Sequence, residues 1–234
     1  MGKPHDGKRE GSREPGAWRP VAGEASFDEG QLALMDEIER DLRERLAERP
    51  RRLAHSLSVA DTACHLALLY GVDPFDARVA GLLHDWDKAL EPEELLRRAR
   101  EEGLDLGVDL ELVEPLLHGI LAARELPERY PMLAAPVFQA IARHTTAAED
   151  MSPLDEVVFV ADGIEPLRRE SAGIARTRSL VGRASLDDVF WESFTGGIVY
   201  VIEGARYLYP GTIDVYNAIA ACRARGAATG NALK

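Results

Sequence analysis

The residues of this chain with the most chemistry in them are histidines and aspartates set into otherwise apolar runs. The sharpest case is Ala80-Gly81-Leu82-Leu83-His84-Asp85-Trp86-Asp87-Lys88-Ala89. An apolar stretch ends there in an adjacent His and Asp, with Lys88 one turn beyond His84. Placing His84 and Asp85 at the mouth of a buried run costs free energy unless something pairs with them. A neutral imidazole beside a carboxylate is a donor set for a first-row metal ion, and Lys88 can present a cation to the same cleft. His55, His118 and His144 sit on similarly apolar faces, and Asp162 is the polar residue of the apolar run 157–164.

Taken singly, each of these fits a core imidazole or a helix cap. Taken together, they carry separate desolvation costs that a shared metal site would remove at once. Imidazoles and carboxylates without thiolates suit iron, manganese or zinc and disfavour a structural zinc site. The set exceeds what one catalytic ion needs while keeping an open position; two ions sharing a bridging carboxylate would use it fully. His65 lies off the His55 face and reads as structural or surface, and His5 falls in the polar N-terminal stretch.

The elements that must position these residues are helical almost throughout. Leu32, Leu34, Met35, Ile38, Leu42 and Leu46 recur at helical spacing, and Pro50 ends that stripe. A second helix carries His55, Val59, Thr62, Ala63, Leu66, Ala67 and Tyr70 and stops at Gly71. Asp73-Pro74 is an N-cap with Pro at the first helical position, opening the helix that ends at His84-Asp85. Glu91-Pro92 begins a helix that stops near Gly103; Leu112 to Leu121 carries His118; residues 133–144 form an apolar helix ending in His144. Ser152-Pro153-Leu154-Asp155 reads as a capping box for the run containing Asp162. Residues 168–183 are basic and less periodic, a loop with a short helix, and two last helices, 186–207 and 212–225, are separated by Pro210-Gly211. No useful alternation of strand type appears. The expected fold is all-α, one helical domain over 27–225, with a disordered tail over 1–26 and a C-terminal tail over 226–234.

Bulk properties narrow the partners. At 234 residues and 46% hydrophobic, the chain can bury a full core. With 28 basic against 40 acidic residues, its formal charge of −12 argues against non-specific nucleic-acid or anionic-membrane binding. A small anionic substrate fits if cations are gathered locally. Cys64 and Cys222 lack CxxC spacing and read as free thiols in a reducing cytosol. Residues 1–30, rich in Gly, Pro, Arg, Lys and Glu and without an apolar h-region, do not read as a signal peptide, and no segment approaches the length expected of a membrane span. Acidic helices with scattered apolar residues are compatible with a homodimer and do not require one.

The pattern Arg51…His55-Ser56, Gly81-Leu82-Leu83-His84-Asp85-x-x-Lys88 and Asp162 resembles the H…HD…D signature of the HD-domain metal-dependent phosphohydrolases. His144-Thr145-Thr146, Met151 to Asp155, Val160-Ala161-Asp162-Gly163-Ile164-Glu165-Pro166 and Pro210-Gly211-Thr212…Tyr216-Asn217 are similar to the YqeK branch of that superfamily. The resemblance spans residues 51–220. It implies an HD-domain helical bundle and a bacterial cytoplasmic enzyme hydrolysing diadenosine tetraphosphate, its nucleotide substrate, to two ADP. It also implies a centre of two divalent metal ions, most often iron, with manganese or zinc as alternatives. Carried over by position, His55, His84, Asp85 and Asp162 would hold one ion, and Asp85 would bridge to a second held by His118 and His144. Lys88 would face the phosphates. Four residues at three places depart from the family pattern: Trp86-Asp87 where Tyr-Ala is usual, Gly163 where an aromatic residue is usual, and Tyr209 where a His is usual.

For such a substrate, two divalent ions would lower the pKa of a shared water and neutralise phosphoryl oxygens, and the water-derived nucleophile would attack phosphorus in line. Asp85 and Lys88 are the expected catalytic residues, with Lys88 stabilising phosphate charge. Arg168, Arg176 and Arg178 are candidates for clamping the polyphosphate; the same arginines also fit a solvated basic face. A dNTP or guanosine-polyphosphate phosphohydrolase, a di-iron oxygenase of HD type, and a nucleotide-binding module without turnover are the competing readings.

Overall fold

The computed structural model describes residues 24–231, of which the helices account for most and no strand forms among the described residues. The N-terminal tail expected over 1–26 therefore lies, up to residue 23, outside the described residues, as does His5. Asp28 caps α1 (Glu29–Arg45) through a reciprocal capping box with Gln31. Pro50 does not end the first helix, which stops at Arg45; it occupies the first position of α2 (Pro50–Tyr70), where its missing N–H costs nothing. Gly71 closes α2 in the left-handed conformation, φ 73°. Asp73 then caps α3 (Pro74–Leu83) by accepting from the N–H groups of Phe75 and Asp76.

A single 3-10 turn, Trp86–Ala89, follows, then α4 (Pro92–Glu101), α5 (Glu114–Arg129) and α6 (Ala135–Arg143). The box at Ser152 and Asp155 opens α7 (Pro153–Ile164) as expected. The basic stretch contains α8 (Ala172–Leu180), and α9 (Leu186–Glu203) and α10 (Pro210–Asn231) complete the chain. The last helix does not stop at Arg225: Ala227 and Ala228, strong helix formers, continue it to Asn231, so the described part of the expected C-terminal tail is helical.

The core is one large cluster built mainly from α1, α2, α3, α5, α6, α7 and α9, with Ile38, Val59, Leu66, Leu82, Val157 and Val189 fully buried. Each such side chain contributes roughly 1.5–3 kcal/mol by leaving water. A smaller cluster of Leu95, Ala99, Leu117 and Leu121 joins α4 to α5. Helices α2 and α3 cross closely, where a Cβ at Gly81 would stand 2.7 Å from the Cα of Ala60. That backbone-to-backbone approach brings His84 beside His55 in the N-terminal half of α2.

Candidate metal centre

The site forms where the C-terminal ends of α3, α6 and α7 meet the N-terminal halves of α2 and α5. His84 and His144 follow directly on α3 and α6 as their C-cap residues. His55 and His118 lie within α2 and α5, and Asp162 lies near the end of α7. His55, His84, Asp85, His118 and His144 are all buried.

Each imidazole is oriented by its Nδ1. His84 Nδ1 is 2.7 Å from the carbonyl of Gly81, His118 Nδ1 is 2.9 Å from that of Pro115, and His144 Nδ1 is 2.6 Å from that of Ile141. A carbonyl only accepts, so each Nδ1 donates and the neutral ring keeps its lone pair on Nε2. His55 uses a carboxylate instead: its Nδ1 is 3.0 Å from Glu165 Oε1. The Nε2 atoms consequently converge, 3.3 Å apart for His55 and His84 and 3.0 Å apart for His118 and His144.

Asp85 sits between the two imidazole pairs and divides its oxygens between them. Oδ2 lies 3.6 Å from His55 Nε2 and 3.5 Å from His84 Nε2; Oδ1 lies 3.1 Å from His118 Nε2 and 3.9 Å from His144 Nε2. Two groups that could hold a metal ion result, His55 with His84 and Asp85, and Asp85 with His118 and His144, their donor atoms within 4.8 Å of one another in each. Asp162 adds a carboxylate on the first side, Oδ1 being 2.9 Å from His55 Nε2 and 3.8 Å from His84 Nε2. Opposed lone pairs around shared carboxylates are a cost that cations would remove, and the donor chemistry fits them.

The electrostatics agree. Burial pushes His118 and His144 down to about 4, so both rings are neutral at physiological pH. Burial lowers His84 as well, against the pull of Asp85 and Asp162. Burial opposes charge on His55 too, yet hydrogen bonds to Asp162 and Glu165 push it up to about 9, the mark of surplus negative charge around one ring. Burial would raise Asp85 and Asp162, but His84 and His118 hold the first well below the usual carboxylate range, and Arg168 and His55 lower the second.

Lys88 is half-buried beside this set. Its Nζ donates to the Pro115 carbonyl at 3.2 Å, the same oxygen that orients His118. Burial lowers its pKa, partly offset by Asp85. Arg168 reaches the site, bonding both the carboxylate and the backbone carbonyl of Asp162. The other two expected arginines do not. Arg176 is exposed and pairs with Glu192 of α9 at 2.7 Å. Arg178 is buried with its guanidinium turned to the carbonyls of Ile164 and Glu165, at 3.0 and 2.8 Å, and to Glu170. It closes the C-terminal end of α7, where unpaired carbonyls require donors.

Two residues that sequence reasoning passed over enter here. Glu165 orients His55, and Arg52 Nη1 lies 2.7 Å from Asp85 Oδ2. Their signals were present but indirect: Glu165 within the Asp162 to Pro166 block, Arg52 one helical turn before His55. His65 stays out of the site, its Nδ1 2.6 Å from the Asp61 carbonyl.

The three departures have structural accounts. Asp87 is fully buried and paired with Arg45 at 2.5 Å and Arg98 at 3.2 Å. Trp86 donates to Glu125 at 3.2 Å and lies under the guanidinium of Arg45, 4.6 Å from its ring centroid. Both side chains thus tie the 3-10 turn to α1, α4 and α5. Gly163 leaves room for α9: a Cβ there would stand 2.9 Å from Ser193 Oγ. Tyr209 donates its hydroxyl to the Leu106 carbonyl at 3.2 Å, fastening the start of α10 to the loop before α5.

Comparison with known proteins adds the family. The HD-domain model matches residues 52–167, which include each of the histidines and aspartates above. A protein of Halalkalibacterium halodurans named symmetrical bis(5'-nucleosyl)-tetraphosphatase is 31% identical over 166 residues, 71% of this chain and 87% of its own. One of the same name from Staphylococcus aureus is 31% identical over 185 residues, 78% of this chain and 93% of its own. A crystal structure from Clostridium acetobutylicum, described as a predicted HD superfamily hydrolase involved in NAD metabolism, is 34% identical with a TM-score of 0.71, covering 80% of this chain and 97% of that one. With this signature, this fold and relatives matched over most of their length, the chain belongs to the HD-domain hydrolases, in the family of the symmetrical bis(5'-nucleosyl)-tetraphosphatases.

Proposed function

We propose that the protein hydrolyses dinucleoside tetraphosphates symmetrically, diadenosine tetraphosphate and water giving two ADP. The observation that carries this reading is the division of the Asp85 carboxylate between two pairs of converging imidazoles, in a chain of the tetraphosphatase family. His55, His84, Asp85 and Asp162 would hold one divalent ion, and Asp85, His118 and His144 a second. The thiolate-free donor set supports iron, with manganese or zinc as alternatives.

Bound there, divalent ions supply Lewis-acid polarisation of phosphoryl oxygens and lower the pKa of a nearby water. The water oxygen joins one phosphorus, the P–O bond between the second and third phosphates breaks, and a proton goes to solvent. The departing ADP is already a stable anion, so the chain needs no strong general acid. Carbonyls of residues 81, 115 and 141 keep three imidazoles facing inwards. Arg52 fixes Asp85 between the imidazole pairs, and Arg168 fixes Asp162. Lys88, at the edge of the set, stabilises charge on the reacting phosphate. The substrate is a small nucleotide, not a nucleic acid, and the free thiols Cys64 and Cys222 support a reducing, cytoplasmic setting. Among the described residues no helix is long and apolar enough to cross a membrane.

The test is product analysis with diadenosine tetraphosphate, using metal-stripped protein resupplied with iron, manganese or zinc in turn. ADP as sole product, dependent on added metal, is the expected result. ATP plus AMP would overturn the symmetric cleavage. Turnover confined to dNTPs or guanosine polyphosphates, or oxygen consumption without phosphate release, would replace the reading altogether.

A further inference from the structure

The 3-10 turn Trp86–Ala89 joins the metal-ligand set to a second polar cluster on its far side. Such a turn has three residues per revolution, so positions three apart lie over one another. Asp85 and Lys88 accordingly share the face towards the imidazoles, the first beside His118 and the second at the carbonyl that orients it. Trp86 and Asp87 are left to point away from the site. Lys88 does little to hold its own place: its ammonium, on a flexible four-carbon stem, donates to the Pro115 carbonyl at 3.2 Å. One neutral acceptor does not fix so mobile a group, so the backbone of the turn has to.

The far side supplies the hold. Arg45 of α1 donates from Nε to the Trp86 carbonyl at 2.9 Å and from Nη2 to Asp87 Oδ1 at 2.5 Å. Arg98 of α4 donates to Asp87 Oδ2 at 3.2 Å and to Glu125 of α5 at 3.0 Å. Glu125 in turn accepts from the Trp86 indole at 3.2 Å, which closes the cluster. Asp87 is fully buried, and each of its oxygens is taken by an arginine from a different helix. Buried charges of this kind add little stability over apolar packing, because their desolvation offsets their attraction. What they add is direction, since a guanidinium fork fits its acceptors in few orientations. The backbone of 86 and 87 is thereby fixed from α1, α4 and α5, and with it the point from which the Lys88 side chain starts.

We infer that Asp87 is a positioning residue for the reaction: held by Arg45 and Arg98, it sets the place of the Lys88 ammonium relative to the reacting phosphate. Asp87 itself touches neither substrate nor metal. The inference rests on the tetraphosphatase reading above. It assigns the cluster to kcat rather than to metal or substrate binding, because a displaced cation is felt where charge develops in the transition state.

The experiment compares Asp87→Asn, which keeps the shape and removes the charge, with Lys88→Met and the double variant, all in the full-length, manganese-loaded protein. With diadenosine tetraphosphate, kcat of Asp87→Asn should fall about ten-fold, the order expected when a reacting group is misplaced. KM should change by less than about three-fold, with metal content at the wild-type level. In the Lys88→Met background the same substitution should change kcat by less than about two-fold, because the group it positions is gone. Equal losses in the two backgrounds, loss of metal, or an unaltered kcat in the single variant would overturn the assignment. Arg45→Met, at the outer edge of the cluster, takes the place of Asp87→Asn in the same cycle if that variant does not fold, with the same outcomes deciding. A second readout needs no turnover. Lys88 is the only lysine between residues 9 and 233, so its labelling by an amine reagent is read by mass spectrometry against Lys3, Lys8 and Lys234. Asp87→Asn should label Lys88 at least about three-fold faster than wild type, as its local structure loosens; an equal rate would also overturn the assignment. If wild type turns over no dinucleoside tetraphosphate, the parent reading fails, and labelling then judges the positioning of Lys88 alone: a faster rate sustains it and an equal rate removes it.

Discussion

Nδ1 of His55 stands 3.0 Å from Oε1 of Glu165, joining residues 110 positions apart. Glu165 is itself held by the backbone N–H of Leu167 at 2.6 Å and is almost completely buried. The carboxylate therefore selects the nitrogen that His55 turns towards Asp85, as carbonyls do for the other three imidazoles. Glu165→Gln keeps the size and removes the charge. It should lower metal affinity about 10- to 100-fold, the usual cost of losing a ligand's hydrogen-bond partner. Competition with a chromogenic chelator measures this, with far-UV circular dichroism unchanged. Equal affinity would mean that His55 is oriented by something else.

Asp85→Ala should remove bound metal and abolish turnover while leaving helical content near wild type. Arg52 keeps its charge but loses its buried partner, so a stability loss of about 1–3 kcal/mol accompanies the change. Metal analysis and chemical denaturation report the two effects separately. Full activity without this carboxylate is incompatible with a bridging role.

Lys88→Met retains length and apolar bulk but not the ammonium group. Its hydrogen bond to Pro115 disappears, yet His118 keeps its own bond to that carbonyl. Metal content should persist and kcat should fall roughly 10²-fold or more, as when a charge-stabilising donor is deleted. Loss of metal in this variant would reassign Lys88 to holding α5 in place.

Gly119 follows His118 directly, and a Cβ there would lie 2.7 Å from both His144 Cε1 and the Ile141 carbonyl oxygen. Backbone cannot yield cheaply, so Gly119→Ala forces α5 and α6 apart or swings His144 aside. We expect a destabilisation of about 1–3 kcal/mol and metal stoichiometry reduced by the share that the His118–His144 pair holds. Thermal denaturation with and without manganese, together with metal counting, checks both.

Glu156 of α7 is buried, and burial, followed by the neighbouring Asp187, pushes it up to about 8. A group raised in the folded state binds more protons there than in the unfolded chain. Its contribution is complete below its ordinary value of 4.5 and is lost as pH rises through about 8. Glu156→Gln should therefore be more stable than wild type at pH 8.5 by about 1–3 kcal/mol, with no gain at pH 4.5. Urea midpoints across this range measure the difference. Parallel curves for the two proteins would show that Glu156 titrates normally.

Much of the site was legible because local rules wrote it. Asp73 with Pro74 and Ser152 with Asp155 set the helix starts, Gly71 set a stop, and apolar periodicity marked the faces on which His55, His118 and Asp162 stand out as exceptions. A polar side chain on a face that must be buried announces a partner, whatever that partner is. The same rules misplaced what depends on distant neighbours. Arg176 and Arg178 looked like members of one basic stretch, yet one lies against Glu192 in solvent and the other turns inwards to the last carbonyls of α7.

By itself, then, the sequence determined most of the helices and singled out the histidines and aspartates on their apolar faces, His84 and His144 at helix ends and His55 and His118 within helices, since backbone propensity and periodicity act over one or two turns. Only the tertiary structure decided the pairings. Arg52 with Asp85, Glu165 with His55, and the split of the Asp85 oxygens between two imidazole pairs all cross from one helix to another. Such contacts depend on how α2, α3, α5 and α7 cross. That is set by close approaches such as Gly81 on Ala60, which no local spacing records.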